Sequence, residues 1–409
     1  MKKLIPKFIF QIYHYLWALV GAVVYGFPAR KLIVVGVTGT NGKSTVVSLI
    51  SEILESAPTQ GRGKVASFSS VRFKIGEKEW KNMLKMTMPG RMKIQKFLKQ
   101  AVKAGCKYAV LEITSEGIKQ YRHKFIDFDG VVFTNLTKEH IEAHKGFENY
   151  KKAKGKLFIA IRKSRKKNKF IVLNADDKHS EYFSKLAGNV KKYYYSLKDL
   201  EKINLQISLP GEFNIYNALA AFCVGIACDL PQDRILDVLR HAKGIPGRME
   251  LVIDKPFRVF VDYAHTPDAL EKVYQTLGKG LICVFGSCGG GRDKWRRPEM
   301  GKIADNYCKE IILTNEDPYD ENPTSIIEEI SAGFSQIRNS KFEIRNLYKI
   351  IDRREAINKA LSLARNNDTV IITGKGCEPW ICVENNKKIA WDDREVVREE
   401  FKKIYGQGF

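Results

Sequence analysis

From residue 31 onward the chain alternates short apolar, β-branched runs with stretches of helical periodicity. Residues 31–37 (KLIVVGV), 107–113 (KYAVLEI), 129–135 (DGVVFTN) and 169–175 (KFIVLNA) read as strands. Residues 44–56 and 149–161 read as helices between them. Apolar strands separated by helical crossovers predict a parallel α/β sheet. Gly and Pro cluster at 242–251 (AKGIPGRMEL), after a helix that opens FNIYNALAAFCVGIA. A second series then begins, with strands expected at 258–264, 281–287, 310–316 and 368–376. The expected division is an apolar N-terminal helix and linker (1–30), a central α/β domain (31–245) and a C-terminal Rossmann-like α/β domain (246–409).

The run 34–50 (VVGVTGTNGKSTVVSLI) leads a strand through glycines into a helix. That arrangement presents bare backbone N–H groups to a polyphosphate. Gly39, Thr40, Asn41, Gly42, Lys43, Ser44 and Thr45 are its candidate nucleotide-binding residues, with Lys43 for the β/γ-phosphates and the Ser44 hydroxyl for Mg²⁺. The glycines at 36, 39 and 42 depart from the common G-x4-GK spacing, which has Val37 where it needs glycine. Taken alone, the loop is either a nucleoside triphosphate site or an ordinary glycine-rich βα turn. The rest of the central domain, with its parallel sheet, suits a P-loop ATPase type.

Composition adds limits. With 44% hydrophobic and 28% charged residues, the 409-residue chain has room for two or three globular domains. A net charge of +23 suits anionic partners. The basic run 151–170 reads as a solvated helix face, and no nucleic-acid motif accompanies it, so no nucleic-acid partner is expected. The eight cysteines form no C-x-x-C, which points to reduced thiols in the cytoplasm. Residues 8–27 carry no formal charge and follow Lys2, Lys3 and Lys7. They are long enough to span a bilayer, yet Gln11, His14 and Tyr15 give a helix one polar side. A helix packed on the body of the protein is expected. Any membrane contact should be peripheral, at the inner face, because a single span leaving the N-terminus inside would put the nucleotide site outside.

Acidic and imidazole groups fall where strands end, the place open α/β sheets put ligands. Glu112 closes one strand and suits Mg²⁺, while His140 follows another. Read in order, GVTGTNGKST, LEITSEG, FTNLTKEH, YKKAKGKLF, FNIYNALAA, GRME, VDYAHTPDAL, FGSCGGGRDKWRRPEMG, TNEDPYDENP and GKGCE resemble the Mur ligase family, MurE type. The resemblance covers the chain from about residue 16 to its end. It implies an ATP-dependent acid–amino-acid ligase of peptidoglycan precursor synthesis. ATP would turn an acceptor carboxylate into an acyl phosphate, which an amine then attacks. It also implies Mg²⁺, as two ions, held by Ser44, Glu112, His140 and a carbamylated Lys154. Asn214, Asn217, Arg248 and Asp262 would meet the nucleotide. Ser115, Gln120 and Arg122 would meet a muramoyl-peptide-like acceptor, and Arg292, Asp317, Tyr319, Gly374 and Glu378 the free amino acid.

Three departures stand out. Diaminopimelate-adding members carry DNPR where this chain has EDPY (316–319), so Tyr319 supplies no charge and Asp317 adds a negative one; lysine is expected over meso-diaminopimelate. Glu116 replaces the family's usual histidine. The glycine loop begins near residue 36, which leaves out the family's N-terminal UDP-binding domain and opens the question of the acceptor's identity. The sequence carries no signal for oligomeric state. Two other readings are a folylpolyglutamate-synthetase-like ligase and a catalytically inactive P-loop switch that only binds ATP. The first expects DGAHN where DYAHTPDAL stands; the second has no use for Lys154, His140 and Arg248 together.

Overall fold

The computed structural model describes residues 7–57, 63–84, 86–334 and 346–406; Lys2 and Lys3 lie outside the described residues. The chain divides into two compact units. One comprises Met1–Lys138 and His144–Gly244, the other Glu139–Ala143 and Ile245–Phe409. The short stretch Glu139–Ala143 groups with the second unit because the amides of Ile141 and Glu142 both donate to the Asp293 carboxylate, each at 2.9 Å.

The first unit holds eight strands: β1 (Ile33–Thr38), β2 (Val65–Phe68), β3 (Arg72–Ile75), β4 (Lys78–Lys81), β5 (Tyr108–Glu112), β6 (Gly130–Phe133), β7 (Phe170–Asn174) and β8 (Lys191–Tyr195). Their order is β4-β3-β2-β5-β1-β6-β7-β8, parallel from β2 to β8. The strands expected at 31–37, 107–113, 129–135 and 169–175 become β1, β5, β6 and β7. The antiparallel hairpin of β3 and β4 is additional. Its four-residue strands, RFKI and KEWK, are too short and too charged to show an apolar run. The outer strands are polar at both margins: Lys78 and Glu79 on β4 and Lys191 and Lys192 on β8 are exposed.

Alternation along β1 sends Val34 into one apolar layer and Val35 and Val37 into the other, so both faces of the sheet are covered. One layer is closed by the helix Lys43–Glu55 packed against the helix Glu212–Ala227. The other includes Phe158, Phe183 and Leu98. β1 lies between β5 and β6, with Val37 opposite Glu112 and Thr38 opposite Phe133. Chain order reverses there, which opens a crevice at the carboxyl ends of the strands.

The N-terminal helix Lys7–Val24 packs on the helix Arg91–Lys103 through small residues. Ala18 and Ala22 are buried, and a Cβ on Gly21 would come 3.1 Å from Met92 Cα. The expected polar side turns partly inward: His14 bonds Arg91, and Tyr15 meets Tyr121 and Phe125 edge-on. The large apolar residues point out, with Ile12, Leu16, Val20 and Val23 all exposed. No helix among the described residues is long and apolar enough to cross a membrane.

The second unit carries β9 (Glu250–Ile253), β10 (Arg258–Val261), β11 (Leu281–Phe285), β12 (Cys308–Leu313), β13 (Asn346–Lys349) and β14 (Thr369–Ile372) in the order β13-β12-β11-β14-β10-β9. All neighbours are parallel except β9, which runs against β10. A small antiparallel pair, β15 (Trp380–Cys382) and β16 (Lys388–Ala390), follows. A fully buried ion pair ties the strand ends together. Arg353 donates to Asp393 through Nε (2.8 Å) and Nη2 (2.7 Å), and also to the carbonyls of Asn315 and Thr373. Asp393 in turn accepts from the Gly376 amide and the Trp391 indole.

Candidate active site

In the first unit, β1 runs into the glycine loop and the loop opens the helix Lys43–Glu55. Gly39 (φ 153°) and Gly42 (φ 81°) have backbones that side chains rarely tolerate. A Cβ at either would also collide, with Thr134 at 39 and with Asn217 at 42. The residues after β6 set the loop's shape. Asn135 accepts from the amides of Thr40 and Asn41, and the Thr134 hydroxyl donates to Asn41 O at 2.7 Å. Thr40 Oγ1 lies 3.1 Å from the Tyr150 hydroxyl, and Thr45 is buried in the first turn.

Cations and hard oxygens converge on this loop. Lys43 Nζ donates to Thr40 O at 2.7 Å and lies 4.0 Å from Glu112 Oε1. Glu112 Oε2 accepts from Ser44 Oγ at 2.6 Å and from the Ser70 amide at 2.9 Å, and the two serine hydroxyls are 2.7 Å apart. This carboxylate and these two hydroxyls are donors of the kind Mg²⁺ prefers, so the residues fit that ion. Lys154, 1% exposed, donates to Gly39 O at 2.6 Å with its ammonium 4.6 Å over the Tyr150 ring. The structure therefore brings Lys43, Ser44, Glu112 and Lys154 together. Asn217 joins them at Gly42, and its Nδ2 donates to Asn214 Oδ1 at 3.1 Å, as their shared helix face requires.

Ser115 and Glu116 begin the short helix after β5, and both reach His144 Nε2, at 3.2 and 3.1 Å. The bond to His144 holds the Glu116 carboxyl below its ordinary range although burial opposes it. Gln120 Oε1 accepts from Arg122 at 2.7 Å.

In the second unit His140 (φ 55°) sits with Arg292, Nδ1 to Nη1 3.3 Å, and with Glu139, Nε2 to Oε1 3.8 Å. Arg248 sits over Tyr263, its Cζ 3.8 Å from the ring centre, and the Tyr263 hydroxyl donates to Glu378 at 2.7 Å. His265 edges the same ring and bonds the Tyr263 carbonyl, so both serve as supports. Asp262 accepts from the amides of Met249 (2.7 Å) and Ala264 (2.6 Å). Burial lifts its carboxyl above the ordinary range despite Arg248 and those amides. Tyr319 (φ 54°) is held in a backbone region costly for a bulky residue, a mark of functional loops. Burial, and then Asp317, pushes its phenol up.

The negative charge of Asp317 is paired: Lys375 Nζ donates to both of its oxygens at 2.9 Å and to Glu378 at 2.5 Å. Burial works against the Lys375 ammonium, and the two carboxylates outweigh it and hold its pKa up. Lys375 lies inside the GKGCE run at a strand end, the only hint of its role in the sequence. Also missed were Glu316, whose buried carboxyl packs against Gly374 and accepts from Cys288, and the fully buried Arg296, 3.7 Å from Glu139. Composition gives no warning that an arginine in a WRRP run is buried.

With this geometry established, comparison with known proteins is informative. Residues 37–203 match the model of the Mur ligase middle domain, and residues 247–376 that of the Mur ligase glutamate ligase domain. A UDP-N-acetylmuramoyl-L-alanyl-D-glutamate–2,6-diaminopimelate ligase from Syntrophomonas wolfei is 37% identical over 93% of this chain and 81% of its own length. A UDP-N-acetylmuramyl-tripeptide synthetase from a Roseiflexus species is 35% identical over 95% and 82%. Among solved structures, a UDP-N-acetylmuramoyl-L-alanyl-D-glutamate–2,6-diaminopimelate ligase superposes with a TM-score of 0.58 at 29% identity, covering 91% of this chain and 79% of that one. Folylpolyglutamate synthase from Mycobacterium tuberculosis shares the fold, at a TM-score of 0.67 and 16% identity over 88% and 92%.

Proposed function

The chain belongs to the Mur ligase family, and from that premise we propose how its residues form an amide bond. The protein is an ATP-dependent ligase that joins an amino acid to a muramoyl-peptide-type acceptor in the synthesis of peptidoglycan precursors. Lys43 and the loop amides hold the triphosphate, and Arg248 meets the charge that develops on the transferred phosphoryl group. An acceptor carboxylate oxygen attacks the γ-phosphorus, and ADP leaves. The amine nitrogen then attacks the acyl carbon, phosphate departs with the bonding pair, and the nitrogen gives up a proton. The observation that carries this reading is the convergence of Lys43, Ser44, Glu112 and Lys154 on one glycine loop.

Ser44 and Glu112 would hold Mg²⁺, which would supply charge neutralisation at the phosphates. A second ion would be held by His140 and by Lys154 carrying a carbamate from CO₂. The Lys154 ammonium would lose two protons as its nitrogen bonds the carbon of CO₂, and an oxygen anion would replace the cation. Asn214, Asn217 and Asp262 face the nucleotide. Ser115, Gln120 and Arg122 face the acceptor, and Arg292 faces the carboxylate of the incoming amino acid. The Lys375–Asp317 pairing removes one argument for a basic amino acid. The uncharged Tyr319 remains, and no cation at that position can clamp a second carboxylate. Lysine is therefore the proposed substrate. ADP release should require acceptor and amino acid together, with kcat/KM for lysine at least about tenfold above that for meso-diaminopimelate, the scale set by one unpaired buried charge. Release without either substrate, or a reversed preference, would contradict the reading.

The protein is placed in the cytoplasm, with the helix Lys7–Val24 resting on the inner membrane face. Its outward Ile12, Leu16, Val20 and Val23 and the chain's +23 charge support that placement. Co-sedimentation with anionic vesicles is expected, and Leu16→Asp with Val20→Asp should abolish it. Equal recovery of the double variant with the vesicles would remove the membrane from the account.

A further inference from the structure

A separate cavity of about 510 Å³ opens in the first unit between the helix Lys7–Val24 and a wall that includes Leu84, Met86 and residues 90–93. Tyr13, Trp17 and Met86 supply an apolar wall, and Arg91, Lys93 and Arg122 supply cations. Arg122 is 9% exposed; it donates to Met88 O (2.5 Å) and to Gln120, while its buried Nε has no partner. Arg91 is fixed by the Gln120 carbonyl (2.8 Å) and by His14. Among the described residues, no carboxylate lies within 4.0 Å of either guanidinium. The crowding is visible in their acid–base balance: burial, and then the charge of Arg91, holds Arg122 below arginine's ordinary value. Burial followed by both arginines does the same to His14.

Two neighbouring guanidiniums and a lysine with no carboxylate in ion-pair contact, Arg122 countered only by the more distant Glu116, call for a multiply charged anion, and guanidinium forks match phosphate oxygens. Tyr13 and Trp17 beside them call for something flat or apolar attached to that anion. We propose that this cavity binds an organic diphosphate ester, the diphosphate on Arg91, Lys93 and Arg122 and its aromatic or prenyl substituent against Tyr13 and Trp17. The proposal rests on the ligase reading only in taking the ester to be the phosphate-bearing end of the acceptor. The N-terminal helix is then part of the substrate site.

Calorimetric titration of the full chain tests this, with the glycine loop first saturated by a non-hydrolysable ATP analogue. UDP, farnesyl diphosphate and inorganic diphosphate are the probes. One of the two organic esters is expected to bind at least tenfold tighter than inorganic diphosphate, and which one it is tells a nucleotide from a lipid source. Trp17→Ala should weaken that binding five- to tenfold or more, the range of one stacked ring, with ATP affinity unchanged. The proposal is overturned if neither ester exceeds inorganic diphosphate, or if Trp17→Ala and Arg91→Gln both leave the affinity intact. ADP release measured on the same preparation separates the two claims. Ligation without ester binding sinks the cavity alone, whereas ester binding without ligation upholds the cavity and sinks the ligase reading.

Discussion

Lys154→Ala is expected to cut acceptor-dependent ADP release by a factor on the order of 10²–10³, the usual loss when one preorganised charged group leaves a phosphoryl-transfer site. The argument is positional. Lys154 is 1% exposed and bonded to the carbonyl of Gly39, so whatever charge it carries acts on the loop rather than on solvent. If that charge is the anion of a carbamate, Lys154→Arg should be as inactive as the alanine variant, because arginine keeps the cation and cannot take up CO₂. Short carboxylic acids should then restore part of the alanine variant's rate by filling the vacated space with an oxygen anion. An active arginine variant would show that the ammonium itself is the working group. Full activity in the alanine variant would remove Lys154 from the chemistry.

Asp393→Ala should have the largest effect on folding, about 3–5 kcal/mol, the cost of leaving a buried partner charge uncompensated. Arg353 and Asp393 are 1% and 0% exposed and meet through two bonds, at 2.8 and 2.7 Å. Arg353 also pins the carbonyls of Asn315 and Thr373, which follow β12 and β14, and Asp393 holds the Gly376 amide. Losing the carboxylate would strand a buried guanidinium and free the loops that carry Asp317 and Lys375. Denaturant unfolding followed in the second unit gives the measurement; a loss under about 1 kcal/mol, the level of an exposed pair, would show that water reaches the site.

The central strands β1, β5, β6 and β7 of one sheet and β10, β11, β12 and β14 of the other were legible because each is an apolar run long enough to outweigh its flanks. By contrast, β2, β8, β9 and β13 are short or polar and were not. The glycine loop was legible as well: Gly39 and Gly42 are required by backbone angle and by the neighbours Thr134 and Asn217, so the sequence cannot vary there freely. What escaped had no local signature. Lys375 finds Asp317 across 58 residues, and no periodicity announces such a pairing. Arg296 looks like a surface residue, yet it opens a helix and is buried in its first turn. The β3–β4 hairpin hides because five of its eight strand residues are charged. The helix at the N-terminus was foreseeable as a helix, but its orientation was not. Ala18, Gly21 and Ala22 admit a close neighbour, and that closeness, not polarity, chose the inner face.

The polar outer strands of the large sheet bear on how the molecule behaves in a crowded solution. Every open sheet offers unpaired backbone at its two margins, an invitation to a stray strand from another chain. Here such a visitor would have to lie against Lys78 and Glu79 at one border or Lys191 and Lys192 at the other, and strip their hydration to do so. Fibrous growth by strand addition is thereby discouraged at both borders of this sheet.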